Sequence, residues 1–154
     1  MKRIVIAITG ATGTIYGVRL MELLRAETSL EIHLVMSNAA KMTLKMEHEV
    51  ELDYIQSLAH ELHDYGNIGA SISSGSFHSS GMIVAPCSIK TMSNIAAGNT
   101  GDLISRAADV VLKERRPLLI AIRETPLHAG HLDNLAKLSR LGAIIFPPVP
   151  AFYN

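Results

Sequence analysis

Five short apolar runs, each feeding directly into polar or Gly/Pro-rich chemistry, constrain this chain more than any other feature. Ile4–Ile8 runs into Thr9-Gly10-Ala11-Thr12-Gly13, and His33–Met36 runs into Ser37. Met82–Ala85 leads to Pro86-Cys87-Ser88-Ile89-Lys90-Thr91, and Leu118–Ile122 leads to Arg123-Glu124-Thr125-Pro126. Ala143–Phe146 ends in the Pro-rich turn that contains Phe152 and Tyr153. Runs of this length that are apolar throughout read as strands buried on both faces. In an open parallel sheet the carboxyl ends of all strands share one edge, and ligands bind there. Segments scattered along the chain should therefore converge on one pocket.

The predicted order is β-α-β-α-α-loop-β-α-α-β-α-β. Strands are expected at Arg3–Thr9, Glu31–Met36, Gly81–Ala85, Leu118–Ile122 and Ala143–Phe146. Helices are expected at Thr14–Arg25, Asn38–Met46, Ile89–Ala97, Leu103–Arg115 and Leu127–Leu141. A further amphipathic helix is marked by Leu52, Ile55, Leu58, Ala59 and Leu62, and Tyr65–Ser80 reads as loop. This alternation specifies an α/β fold: a parallel sheet with helices on both faces. The 154 residues fit one domain, 1–154, and a 48% hydrophobic share supplies one sizeable core.

Composition narrows the partners. The 14 basic and 14 acidic residues balance, so bulk charge suggests neither nucleic acid nor an anionic membrane. The single cysteine rules out an internal disulfide and fits a reducing compartment, the cytoplasm. Ile4–Ile8 is too short for a membrane span or a signal peptide. The apolar excess favours an oligomer.

The Gly10–Gly13 turn between a strand and a helix offers close backbone approach and free N–H groups to a phosphate. Its G-x-x-G-x-x-x-G spacing, with Gly17 as the last glycine, differs from the dinucleotide G-x-G-x-x-G. A nicotinamide site also needs an acidic residue at the end of the second strand, where this chain has Ser37-Asn38. A mononucleotide such as FMN suits these residues better than NAD. Ser88 and Thr91 bring hydroxyls to a second turn into a helix.

Other polar residues have plainer readings. Cys87 reads as a small buried hydrophobe rather than a nucleophile, having no evident base. Met42, Met46 and Met92 read as core filler. His60/His63 and His128/His131 are H-x-x-H pairs without an evident third ligand, so no metal is expected. Arg106, Asp109 and Lys113 share one helical face and, on spacing alone, form a solvated ion-pair row. Arg123-Glu124, at a strand's carboxyl end, can hold an ionised but desolvated carboxylate suited to proton transfer.

With these residues in hand, the chain resembles the flavin prenyltransferases. That bacterial family was long called 3-polyprenyl-4-hydroxybenzoate carboxy-lyase, and it is close to the B subunit of phenolic acid decarboxylase. The resemblance runs through TGATGTIYGVRL, HLVMSNAAK, ISSGSF, PCSIKT, RAADVVLKERRPLL, RETPLH and PPVPAFYN. It implies a Rossmann-like (flavodoxin-like) three-layer flavoprotein assembled as a dodecamer, with flavin at subunit contacts. It implies FMN on Gly10, Ala11, Thr12, Ser37, Ser88, Ile89, Lys90, Thr91 and Arg123. It implies dimethylallyl phosphate near Glu47, Arg106, Lys113, Arg123, Glu124 and Tyr153. Arg106 and Lys113 would then clamp phosphate. Glu124, Thr12, Lys113 and Glu47 would be catalytic, with Glu124 a proton shuttle and Thr12 at the flavin N5.

The implied reaction joins the dimethylallyl group to N5 and C6 of reduced FMN. Its product would serve a separate decarboxylase, in ubiquinone biosynthesis or aromatic acid decarboxylation. An FMN-dependent decarboxylase subunit and a non-catalytic flavin carrier are the alternatives. Thr12 stands where family members often carry Ser, and the hydroxyl survives. Family chains also continue past the Pro-rich turn into a lid helix, which this sequence lacks.

Overall fold

The computed structural model describes residues 1–27 and 29–153. Six parallel strands form one sheet: β1 (Lys2–Ile8), β2 (Leu30–Met36), β3 (Glu61–His63), β4 (Met82–Cys87), β5 (Leu118–Ile122) and β6 (Ile144–Phe146). Their order is β3-β2-β1-β4-β5-β6, the Rossmann order, with the topological switch between β1 and β4. The helices are α1 (Thr14–Arg25), α2 (Asn38–Glu47), α3 (Leu52–Ser57), α4 (Ile89–Ala97), α5 (Leu103–Lys113) and α6 (Ala129–Arg140).

Strand alternation divides the core into two layers. Ile6, Ile8, Ile32 and Leu34 face α1, α2 and α3, where Val18, Met21, Leu44 and Ile55 are buried. Val5, Ala7, Val84 and Ile120 face the other way, toward Met92, Leu103, Ala107 and Leu138 of α4, α5 and α6. The helices start where local chemistry starts them. Ser37 accepts from the Ala40 N–H at 3.0 Å, Ser88 from Thr91 at 3.2 Å, and Asp102 from Ser105 at 2.9 Å. Gly98, at φ 70°, ends α4 in the left-handed conformation.

One expected helix is cut short. The apolar positions Leu58, Ala59 and Leu62 continue a helical spacing, yet α3 stops at Ser57 and Glu61–His63 forms β3. The reason is tertiary. The outer edge of β2 carries backbone groups that need partners. The His60 N–H donates to the Ile32 carbonyl at 2.9 Å, and Glu61, Leu62 and His63 pair with His33, Leu34 and Val35. Within the expected loop, Ser71–Ser73 makes one 3₁₀ turn that buries Ile72. The methionine reading holds for Met92 only. Met42 and Met46 are exposed, because Ala40 and Leu44 are the α2 residues that face the sheet.

The α1 side of β4, β5 and β6 carries an apolar groove lined by residues that include Leu20, Leu23, Ala85, Leu119 and Phe146. No helix among the described residues is long and apolar enough to cross a membrane.

Candidate active site

The carboxyl ends of β1 and β4 are tied together by one side chain. Thr9, buried just past β1, donates its hydroxyl to the Pro86 carbonyl at 2.7 Å and accepts from the Ser88 N–H at 2.7 Å. Its backbone N–H also reaches Pro86. This places the glycine turn beside the start of α4. Sequence reasoning passed over Thr9 as a site-building residue. The available signal was a hydroxyl at the last apolar strand position, directly before a glycine.

Ser37 lies on the other side of the same turn. Its N–H donates to the Ile8 carbonyl at 3.1 Å. Gly10 packs so tightly on Ala39 that a Cβ there would stand 2.5 Å from the Ala39 Cβ. Gly13 is left-handed at φ 95°, and the Arg123 Nη1 lies 3.3 Å from where its Cβ would be. The Arg123 guanidinium sits over the Tyr16 ring at 5.1 Å. Gly10, Ala11, Thr12, Ser37, Ser88, Ile89, Lys90, Thr91 and Arg123 thus share one rim.

Two helix N-termini meet at this rim, and they differ. α1 has no side-chain cap of its own. The Glu47 carboxylate, arriving from the end of α2, accepts from the Gly13 N–H at 3.2 Å, the Thr14 N–H at 3.4 Å and the Thr14 hydroxyl at 3.1 Å. An anion therefore already holds the position where the glycine turn suggests phosphate. α4 is capped by Ser88, whose hydroxyl also donates to Thr91 Oγ1 at 3.1 Å. The Ile89 and Lys90 amides of its first turn have no intrahelical acceptor by construction. The end of the rim whose first amides are unfilled by a carboxylate is the start of α4, a helix N-terminus with the polarity to take an anion.

The other expected phosphate ligands are not gathered here. In each crossover the helix runs back against the strands, so α5 starts near the rim and ends at the opposite edge. Leu103 bonds to Tyr65, just past β3, whereas Lys113 lies with Gly98 and Leu141, beyond the C-terminal ends of α4 and α6. Arg106 and Lys113 are separated by ~10 Å along the helix. Arg106 pairs with Asp109 at 3.8 Å, and Lys113 pairs with Glu114. Within one chain, Arg106, Lys113 and Arg123 form no common clamp. Glu124 and Tyr153 are exposed at the rim strand's end and in the Pro-rich turn.

The remaining candidates resolve simply. Cys87 is fully buried, and burial pushes its thiol well up, which leaves no nucleophile. His128 caps α6 by accepting from the His131 N–H, with the two rings stacked at 3.5 Å. His60 accepts from the Ile32 N–H at 3.0 Å. His63 points the other way, against His33 of β2, with ring nitrogens 2.9 Å apart.

This geometry recurs in known proteins. The Flavoprotein family model matches residues 1–152. The flavin prenyltransferase UbiX of Escherichia coli K12 is 56% identical over 154 residues, covering all of this chain and 82% of that protein. The flavin prenyltransferase LpdB of Lactiplantibacillus plantarum is 53% identical, again covering all of this chain and 82% of that protein. The chain belongs to the flavin prenyltransferase family.

Solved structures of this family share the fold closely. AnUbiX (PadA1), crystallised in complex with FMN and dimethylallyl pyrophosphate, superposes with a TM-score of 0.97 at 50% identity, covering 99% of this chain and 80% of that one. A dodecameric FMN-dependent UbiX-like decarboxylase from Escherichia coli O157:H7 also gives 0.97, at 47% identity, covering 99% and 83%. For a flavin prenyltransferase, the rim has the right donor chemistry to hold FMN. It offers amides and a hydroxyl at α4 for the phosphate. It offers a buried Ser37 and a guanidinium, with no competing carboxylate at the end of β2.

Proposed function

We propose that this chain joins the dimethylallyl group of dimethylallyl phosphate to N5 and C6 of reduced FMN, and that the product serves a separate decarboxylase. The observation that carries this reading is the convergence of the glycine turn, Ser37, the α4 N-terminus and Arg123 on one rim in a flavin prenyltransferase. Reduced FMN, when bound, supplies two nucleophilic positions. The Thr91 hydroxyl, oriented by Ser88, and the first amides of α4 hold its phosphate, leaving Arg123 free to face the second, smaller phosphate ester.

Phosphate leaves as C1 of the allyl group joins N5 and the N5 proton departs. Arg123 stabilises the leaving group's negative charge, a contribution to the transition state that water would weaken. Glu124 then acts as proton carrier: the allyl double bond takes a proton at C2, C3 joins C6, and the C6 proton is lost. Thr12, exposed on the glycine turn, orients the N5 edge. Glu47 keeps the turn rigid by holding Gly13 and Thr14. Tyr153 adds a hydroxyl to the substrate phosphate.

Lys113 and Arg106 enter this scheme through assembly. The groove over β4–β6 and the exposed Met42 and Met46 are apolar surface suited to burial between subunits. A homododecamer in which a neighbouring copy presents its α5 to the rim brings Lys113 and Arg106 to the ester. The balanced charge and the single buried cysteine suit the cytoplasm.

The deciding experiment mixes the protein with reduced FMN and dimethylallyl phosphate without oxygen and weighs the flavin. An added five-carbon unit is expected. An unchanged flavin mass with FMN bound favours a carrier, and release of carbon dioxide from an aromatic acid by this chain alone favours a decarboxylase.

A further inference from the structure

The far edge of the sheet holds a cluster that prenyl transfer does not use. His33 stands in the middle of β2, facing the α5 layer, and is 1% exposed. Phe77 meets its ring edge-on at 4.8 Å. A buried imidazole is costly unless its nitrogens are engaged, and both are. Nε2 lies 2.9 Å from Glu31 Oε1, and Nδ1 lies 2.9 Å from His63 Nε2. Parallel pairing sets Glu61 opposite His33 and His63 opposite Val35, so β3 sends alternate side chains to the face that His33 occupies.

We propose that His33, His63 and Glu61 form a binding site for a divalent transition metal of the zinc class, clasping the edge strand β3 to β2. The donors come from two strands and already converge. His33 Nδ1 and His63 Nε2 are 2.9 Å apart, and Glu61 oxygens lie 3.5 Å from the first and 3.7 Å from the second. Zinc bonds of ~2.0–2.1 Å in a tetrahedron give donor separations of roughly 3.3–3.4 Å, inside that range.

The surroundings orient the donors. Glu31 takes the Nε2–H of His33, which leaves the Nδ1 lone pair directed at the cluster. A carboxylate behind a ligating histidine is the usual outer support of such a site. Arg3 in turn holds Glu31, at 3.5 Å. Two imidazoles and one carboxylate select zinc, cobalt or nickel over magnesium or calcium. On binding, the ion takes the place of the proton shared by the two rings; that proton moves to His63 Nδ1 or to solvent. Glu61 is half exposed, so the ion enters from the sheet edge and water completes its shell. His33 precedes Ser37 by four residues, ~13 Å along the strand, so the clasp is separate from the flavin rim.

The test uses the full chain stripped with a chelator. Cobalt(II) should bind at one per chain, with the visible absorption of a four-coordinate nitrogen/oxygen site, and zinc should displace it. Zinc should also raise the melting temperature. His63→Gln and Glu61→Gln should each weaken cobalt binding at least tenfold and remove the zinc-dependent rise. Glu31→Gln should weaken it by about 10–100-fold, as expected for an outer partner. His131→Gln, at the chain's other stacked histidine pair, should leave binding intact. FMN binding should be unchanged in Glu61→Gln, which also shows that this half-exposed variant folds. Cobalt binding equally well to Glu61→Gln and His63→Gln, or lost in His131→Gln, would overturn the clasp, as would no binding at all.

Discussion

The N-termini of α1 and α4 open onto the same rim, yet only one remains available to a ligand. Both follow a buried strand and a tight turn. α1 follows the glycine-rich turn, which by itself suggests anion binding, but the Glu47 carboxylate fills it from 33 residues away in sequence. α4 is capped by its own Ser88, which satisfies Thr91 and leaves the first amides of the helix directed outward. A glycine turn therefore builds close approach, whereas the choice of anion site rests on which helix end lacks an internal carboxylate. In the proposed function, Glu47 makes one end a rigid wall for the flavin ring, and the other end is the phosphate seat.

The strongest way to probe this division separates chemistry from binding. Glu124→Gln should lower the rate of prenyl transfer by about 10²–10⁴-fold. Single-turnover mass spectrometry reads that loss, while fluorescence titration should find FMN affinity unchanged. Equal rates would remove Glu124 from proton transfer.

Thr9→Val attacks the tie between the two ends. Pro86 keeps the Thr9 N–H, but the Ser88 N–H loses its acceptor, at a cost of about 1–3 kcal/mol. Urea denaturation should show this, together with weaker FMN binding as the α4 turn loosens. Unchanged FMN affinity would mean that the α4 end is not the seat.

Ser88→Ala removes a helix cap worth about 1 kcal/mol and the bond that orients the Thr91 hydroxyl. Inorganic phosphate should then compete less well with FMN. Glu47→Gln keeps an acceptor for Gly13 and Thr14 and loses only the charge at the α1 N-terminus, about 0.3–1 kcal/mol. FMN phosphate affinity should not fall in this variant; a fall equal to that of Ser88→Ala would erase the distinction between the two ends. The smallest effect belongs to Cys87. Burial raises its thiol pKa, so it stays protonated, and iodoacetamide at mildly alkaline pH should leave the folded protein unmodified. Rapid labelling by mass spectrometry would contradict that.

Local patterns in the chain were enough wherever a single turn or strand sets the outcome. Thr14–Arg25, Ile89–Ala97 and Leu118–Ile122 were legible to the residue, because apolar spacing, a cap and a stop signal act over a few positions. The rim was legible too, since every parallel strand must bring its carboxyl end to the same edge. The rest came from packing between elements distant in the chain. It turned the helical spacing around Leu62 into β3, because the β2 edge needed partners. It sent Glu47 to α1 and Lys113 to the opposite edge, and it met His63 with a histidine 30 residues away. Those outcomes depend on strand order and register. Contacts between distant residues follow from how layers stack, and no local pattern of side chains carries that information.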